Sequence, residues 1–137
     1  MMYVFAVTIP ANTPAIAPLV QEVKLAPGRI IAMAVEIPDR CVGLVHVQIL
    51  TDLHVQWPSN PDASFSGDGV TITWPESYDL DPSVPKLRLV GWNLDDSFAH
   101  TITFRFTVTP QEQIDQENRA LFALGFLADW YEQRGTT

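Results

Sequence analysis

Apolar and polar residues alternate along most of the first 110 positions, which is the pattern that half-buried β-strands produce. The alternation is clearest over residues 99–109, where the inward positions are expected to be Ile102, Phe104, Phe106 and Val108. Prolines, glycines and short polar clusters separate such runs at short intervals. By the same criteria, further strands are predicted at residues 3–9, 20–25, 31–37, 43–50, 53–57, 70–74 and 86–94.

Two of these strands have specific predicted features. In the run 31–37, alternate residues beginning with Ile31 are apolar and are predicted to share the buried face. The strand at 70–74 is predicted to end at Pro75, because proline cannot donate to a sheet ladder, and residues 78–85 are expected to be irregular. Many short strands at this spacing predict a mostly β chain with an antiparallel, jelly-roll-like β-sandwich fold.

The pattern changes after Pro110. Residues 112–133 contain no proline and many helix-forming residues, so they predict one C-terminal α-helix. We therefore divide the chain into a β-sandwich domain at 1–110 and a C-terminal helix with its tail at 111–137. This second segment is expected to be either part of the same domain or an interface arm.

The second half of the predicted helix carries apolar side chains almost all round, whereas the first half is polar. A helix that is apolar on every side needs contacts on every side. One sandwich can cover only about half of a helix surface. Leu121, Leu124 and Tyr131 are therefore expected to face it, and a second stripe needs another partner. The residues predicted to contact another subunit or another protein are Phe122, Phe126, Leu127 and Trp130.

Length, composition and charge narrow the possible classes of protein. At 137 residues, of which 47% are hydrophobic, the chain is large enough to fold as one domain around its own core. The net charge of −8 disfavours nucleic acid and membranes as partners, because both require basic surfaces. The single cysteine, Cys41, allows no intrachain disulfide. Residues 1–9 lack the features of a secretory signal, so folding in the cytoplasm is expected.

No motif for catalysis, metal binding or cofactor binding can be assembled from the sequence, so we predict that the chain is not an enzyme and has no cofactor. His46, His54 and His100 lack the paired spacing of zinc ligands. Cys41 has no accompanying nucleophile turn and is expected to be a small buried residue. A solvated loop surface, with a bound cation as the alternative, is expected for Asp62, Asp68, Asp79, Asp81, Asp95 and Asp96.

Trp57, Trp74 and Trp92 lie in or at the ends of predicted strands. Aromatic residues on a β-sandwich can form a platform on which sugar rings stack, although tryptophan in a domain of this size is more often part of the core. A carbohydrate-binding β-sandwich module is therefore the alternative functional hypothesis.

Three segments are informative when they are taken together. They are residues 7–14 (VTIPANTP), residues 37–45 with Ile-Pro at their start and CVGLV at their end, and residues 91–96 (GWNLDD) with the nearby His100. Together they resemble the small jelly-roll virion proteins of tailed bacteriophages, namely the decoration or cement proteins and related head accessories. The resemblance covers residues 3–109 and does not extend to the C-terminal helix.

In that family a small β protein, often a trimer, lies on the outside of an icosahedral head and ties neighbouring major capsid subunits together. The resemblance therefore implies a structural virion protein, a capsid decoration subunit made in the host cytoplasm. Its implied partners are copies of itself, as a homotrimer, and the major capsid protein. Such a subunit needs a rigid scaffold, an edge strand or terminal arm for strand addition, and an apolar contact surface.

Overall fold

The computed structural model describes residues 1–135, including the side chains of residues 1–125. Strands are the main secondary structure, and one helix follows them. The elements are β1 (Met2–Ile9), β2 (Leu19–Lys24), β3 (Gly28–Ile37), β4 (Val45–Thr51), β5 (His54–Trp57), β6 (Val70–Asp79), β7 (Lys86–Asn93), β8 (His100–Pro110) and α1 (Gln111–Gly135).

The strands form two four-stranded antiparallel sheets with the orders β1-β8-β3-β6 and β2-β7-β4-β5. β1 pairs with β8, β2 with β7, β3 with β6 and β4 with β5, as in one long hairpin rolled up on itself. The pairs β3–β8 and β4–β7 join these strand pairs into the two sheets. This strand order is that of a jelly roll. It confirms the predicted mostly β, jelly-roll-like sandwich with one C-terminal helix.

The hydrophobic core lies between the inner faces of the two sheets. In β8, which runs between β1 and β3, the predicted inward residues from Ile102 to Val108 are at most 1% exposed. β4 and β7 occupy the same central position in the other sheet. Their inward residues form the opposite wall of the core; they are Val45, Val47, Ile49, Leu87 and Leu89.

A β-bulge changes the predicted face of β3 at its start. The register with both neighbouring strands shifts between Ile30 and Ala32, so Ile30 is fully buried whereas Ile31 is 41% exposed. The prediction that Ile31 lies on the buried face is therefore wrong, because the extra residue of a bulge reverses the alternation. From Met33 onward the predicted alternation holds.

β6 does not end at Pro75 but continues to Asp79, so the predicted end of this strand is wrong. β6 is an edge strand that pairs only with β3. One side of an edge strand has no neighbouring strand, so a proline without an N–H is tolerated on that side. The extension brings Tyr78 against Trp57, with their ring centroids 5.1 Å apart in an edge-to-face arrangement. The longer strand thus closes one side of the core.

α1 follows β8 without an intervening loop. The junction is held against the start of β3, because the Gln111 N–H donates a hydrogen bond to the Pro27 carbonyl oxygen at 2.8 Å. Gly28 permits this close approach, since a Cβ atom there would overlap the Thr109 carbonyl oxygen. The entry of the helix is therefore defined by the sandwich.

Candidate interaction surfaces

After its first turn, α1 leaves the surface of the sandwich. Ile114 is buried at 5% exposure, whereas every residue from 115 to 125 is exposed. The main contacts of the helix are with β3 and β8, the two strands that meet at its origin. Leu121, Phe122 and Leu124 are 66%, 79% and 63% exposed. These three residues, which we call the α1 apolar surface, have no packing partner among the described residues that would bury them.

The structure places one of the predicted interface residues on this surface, since Phe122 is exposed. Phe126, Leu127 and Trp130, as well as Tyr131 of the other predicted face, lie outside the described side chains. The expectation that Leu121 and Leu124 would face the sandwich is wrong, because α1 continues from the end of β8 and only its first turn reaches a sheet. The described part of the helix therefore offers more apolar surface to a partner than the sequence suggested.

In contrast to the exposed α1 apolar surface, the loop that joins β7 to β8 is organised by a fully buried side chain, that of Asn93. The side-chain amide of Asn93 donates to the carbonyl oxygens of Ile9 at 3.2 Å and Phe98 at 2.9 Å. Its Oδ1 accepts the Asp95 N–H at 3.0 Å. Because one side chain holds the end of β1 and both ends of the loop, this loop is a rigid part of the sandwich.

Asp95 and His100 form a second polar contact, which joins the same loop to the start of β8. The Asp95 Oδ2 and His100 Nε2 atoms lie 2.9 Å apart, and both side chains are nearly buried. The other oxygen of Asp95 accepts the N–H groups of Ser97 at 2.9 Å and Phe98 at 3.2 Å. The hydrogen bond with His100 and then these N–H groups lower the pKa of Asp95. Asp95 therefore acts as an ionised acceptor that closes the loop.

A cleft of about 490 Å³ lies between this loop and the loop that joins β3 to β4. Val42, Leu44 and Phe98 form its apolar wall, and Val42 and Phe98 are 68% and 69% exposed. Both signs of charge occur at its rim, where Asp39 and Arg40 are neighbours. The cleft is thus an open, mixed surface and not an enclosed pocket of the kind that surrounds a small ligand.

The histidines and the cysteine do not come together as a site. His46 stacks on Trp92 with ring centroids 5.4 Å apart, His54 is exposed on β5, and His100, the first residue of β8, pairs with Asp95. Within the part of the chain that is described, no three His, Cys, Asp or Glu side chains are grouped so that they could hold a metal ion. Cys41 is buried, as predicted. Burial, with Asp68 and Asp95 adding to it, raises the pKa of the Cys41 thiol, so the reactive thiolate is disfavoured.

The acidic loop residues mainly serve as local hydrogen-bond acceptors. Asp68 accepts the Val42 N–H at 3.2 Å, and Asp79 lies 2.8 Å from Arg29. Asp81 accepts both the hydroxyl and the N–H of Ser83, and these bonds lower the pKa of Asp81. The carboxylates that were candidates for a cation site are therefore distributed over separate turns.

The three tryptophans do not form a common platform. Trp57 is 4% exposed and Trp74 stacks against Phe65 with ring centroids 5.1 Å apart, so both belong to the side of the core that β6 closes. Their indole N–H groups donate to Glu76 Oε2 at 2.8 Å and 3.2 Å. Burial alone would raise the pKa of Glu76, but the hydrogen bonds from Ser77 N–H and the two indoles outweigh it and lower that pKa. Trp92 lies on β7, in the same sheet as Trp57, but its ring stacks on His46 instead.

Sequence reasoning missed the network of Asn93 and the bridge made by Glu76. A signal for the first was present, because Asn and Asp at positions 93 and 95, followed by Ser97, are typical of turns in which side chains accept backbone N–H groups. The second gave no local signal, since Trp57 and Glu76 are brought together only by the packing of β5 against β6.

In the described part of the chain, α1 is too polar to be a membrane-spanning helix. No protein-family model matches the sequence, and a search of curated proteins found no significant match. The fold and the exposed surfaces described above therefore carry the functional inference.

Proposed function

We propose that the chain is a structural virion protein, a decoration subunit that binds the outside of a phage head and ties major capsid subunits together. The observation that carries this proposal is the α1 apolar surface, which is held away from the sandwich by the junction at Gln111. Several large apolar side chains exposed along one helix are costly in water and mark contacts with other molecules.

The sandwich itself supplies the scaffold that such a subunit needs. Among the described residues, every buried side-chain nitrogen and oxygen atom has a hydrogen-bond partner. The core is continuous from β1 to β8 without any contribution from the α1 apolar surface. A contact made by that surface would therefore not require the sandwich to rearrange, and little conformational entropy would be lost on binding.

The proposed contacts are with copies of the same chain, as a homotrimer, and with the major capsid protein. Because the chain has a net charge of −8, apolar side chains are the better candidates for self-association than its mostly acidic surface. An apolar contact of this kind should persist at moderate salt, whereas a contact between exposed charges would be screened. Binding to the assembled shell, but not to free capsid subunits, would stabilise the shell by mass action.

The proposal assigns no catalytic role and no cofactor to the chain. The pairing of Asp95 with His100 has the polarity of a catalytic dyad, but in the described residues His100 forms no hydrogen bond with a serine, threonine or cysteine side chain. The carbohydrate-binding alternative has less support, because Trp57 is buried and the indole N–H groups of Trp57 and Trp74 are already bonded to Glu76.

The test compares two sets of three surface substitutions. The variant Leu121→Gln/Phe122→Gln/Leu124→Gln removes the α1 apolar surface while keeping residues that favour helix. The matched control replaces three other exposed apolar residues: Ile16, Leu53 and Val84, each by Gln. Both proteins should unfold at the same denaturant concentration as the unsubstituted chain, since the replaced side chains are exposed.

Two measurements then decide the proposal. Light scattering measures the oligomeric state. Co-sedimentation measures binding to purified heads of the virus whose genome encodes the chain. A major capsid gene next to the gene of this chain would identify that virus. The α1 variant should lose head binding and form smaller oligomers than the unsubstituted chain, and the control should retain both properties. A chain that is monomeric at micromolar concentration and does not bind heads would overturn the proposal, and binding to a glycan array through Trp92 would favour the alternative.

A further inference from the structure

A rolled hairpin of this kind leaves an edge strand on each side of both sheets, and the edges differ in how they are protected. β6 contains Pro75 and Asp79, β2 contains Glu22 and Lys24, and β5 has only four residues. Proline, charge and shortness each prevent an edge from pairing with another chain. β1 is eight residues long, Met2–Ile9, and it contains no proline and no charged residue. It is the one unprotected edge among the described strands.

The hydrogen-bond phase of β1 identifies the groups that face this edge. Met1 and Val108 exchange two backbone hydrogen bonds, Met1 N to Val108 O at 2.9 Å and Val108 N–H to Met1 O at 2.8 Å. Bonded and non-bonded pairs alternate along an antiparallel ladder. The odd-numbered residues of β1 therefore bond to β8, and the unpaired N–H and C=O groups belong to Met2, Val4, Ala6 and Thr8.

The side chains of β1 are also incompletely covered on both faces. On the outer face, Met2 and Val4 are 64% and 55% exposed. On the inner face, Tyr3 and Phe5 remain only half-buried although they point towards the core, because no strand lies beyond them. Phe5 already packs against Phe106, with ring centroids 6.0 Å apart. One further strand on this edge would cover apolar side chains on both faces at once.

We propose that the occupant of this edge is β1 of a second copy of the chain, paired antiparallel about a two-fold axis through Phe5. In this register Val4 lies opposite Ala6 of the second copy and Met2 lies opposite Thr8 of the second copy, so all the unpaired backbone groups of β1 are used. The two copies of Phe5 face each other as a non-hydrogen-bonded pair, the closer of the two pair types. The β6-β3-β8-β1 sheet of one copy and the same sheet of the second copy then form one continuous sheet.

The second copy is favoured over another partner strand because β1 is self-complementary. A two-fold pairing places each residue opposite a residue of the second copy of β1. Because β1 has no charged residue, this pairing brings no like charges together. It also places aromatic residues opposite each other at the axis, which is a favourable cross-strand pair. The inference does not rest on the proposed function, because it concerns the chain in solution and a surface remote in sequence from α1.

A pair of charge variants tests both the partner and the register. Val4→Lys/Ala6→Lys places like charges opposite each other twice across the axis, whereas Val4→Lys/Ala6→Glu places opposite charges there. The first changes the net charge from −8 to −6 (−8 + 2) and the second leaves it at −8 (−8 + 1 − 1). General repulsion between copies would therefore make the first variant associate more strongly, and the proposed pairing requires the reverse order.

Sedimentation equilibrium gives the dissociation constant of each full-length protein. The Lys/Lys variant should dissociate at least about tenfold more readily than the Lys/Glu variant, since two repulsive pairs replace two attractive ones. Oxidation should link Phe5→Cys chains through a disulfide across the axis but leave Val4→Cys chains unlinked, because position 4 faces position 6. Equal dissociation constants, or an unsubstituted chain without a two-fold contact, would overturn the inference.

The test separates this contact from the one proposed for α1. The variant Leu121→Gln/Phe122→Gln/Leu124→Gln should keep the β1 contact, and the Lys/Lys variant should keep the contact made through α1. The Phe5→Cys change can be added to this α1 variant to follow the β1 cross-link. Loss of the cross-link there would show that the edge does not associate by itself and would contradict the pairing proposed here.

Discussion

The sandwich and α1 solve the problem of apolar surface in opposite ways. In the sandwich, residues such as Ile9, Ile49 and Phe104 are at most 1% exposed, and buried polar atoms are paired. In the described part of α1, one residue, Ile114, is buried, and the apolar residues further along are exposed. The comparison teaches that a single chain can complete one hydrophobic core and still present a second apolar surface whose burial depends on another molecule.

This separation has a consequence for how substitutions should act. Changes inside the sandwich should alter the free energy of unfolding, whereas changes along α1 should alter association and leave unfolding nearly unaffected. The contrast exists because the folding of one chain is stabilised by the surface that this chain itself removes from water. It can be tested with pairs of variants that differ in location but not in chemistry.

The largest effect on folding is expected for Phe104→Ala. Phe104 is 1% exposed at the centre of the sheet, and its truncation should lower the free energy of unfolding by about 4 kcal/mol through lost contacts and a cavity. The same truncation at Phe122, which is 79% exposed, should change it by less than about 0.5 kcal/mol. Urea unfolding of both variants measures the difference. A similar loss at both positions would break the comparison.

A somewhat smaller loss is expected for Asn93→Ala, which removes the three side-chain hydrogen bonds of Asn93, one to the end of β1 and two within the β7–β8 loop. Because the groups left behind are buried, the cost should be about 3 kcal/mol. Thr13→Ala removes a surface hydrogen bond to the Pro10 carbonyl oxygen and should cost less than about 1 kcal/mol. Thermal unfolding followed by circular dichroism is a suitable measurement. Equal costs would mean that Asn93 does not organise the loop.

Acid should weaken the loop end of the sandwich through Asp95. Its pKa is lowered in the folded state, so its contribution to stability is complete above the unfolded-state pKa of about 3.9 and disappears as the pH falls towards the folded-state pKa. Asp95→Asn should therefore make the unfolding free energy less dependent on pH in this acidic range. Asp62→Asn, in an exposed loop, is the control and should keep the original dependence. Identical pH profiles for both variants would contradict this role.

A small effect on folding is expected when the chain is truncated after Arg119. The truncation keeps Ile114 and every strand, so the unfolding free energy should fall by less than about 1 kcal/mol while association through α1 is lost. Urea unfolding and light scattering measure the two properties. A truncated chain that does not fold would mean that the distal half of α1 belongs to the core and that the interface assigned to it is wrong.

The sequence by itself determined the class of fold and the order of its elements. The strict alternation in β8, the turn residues between strands and the proline-free run after Pro110 are local patterns, and the structure confirms the strands, the sandwich and the helix that they predict. Local patterns are reliable here because backbone periodicity and the exclusion of proline act on neighbouring residues and need no knowledge of distant ones.

Only the tertiary structure decided which surfaces remain open. The bulge at Ile31 and the passage of β6 through Pro75 depend on the neighbouring strands, and the exposure of Leu121 and Leu124 depends on the direction in which α1 leaves β8. The position of β1 at an edge follows from the order of strands and has no signature within β1 itself. The periodicity of a segment indicates which of its side chains share a face, but residues far away in the chain determine what covers that face.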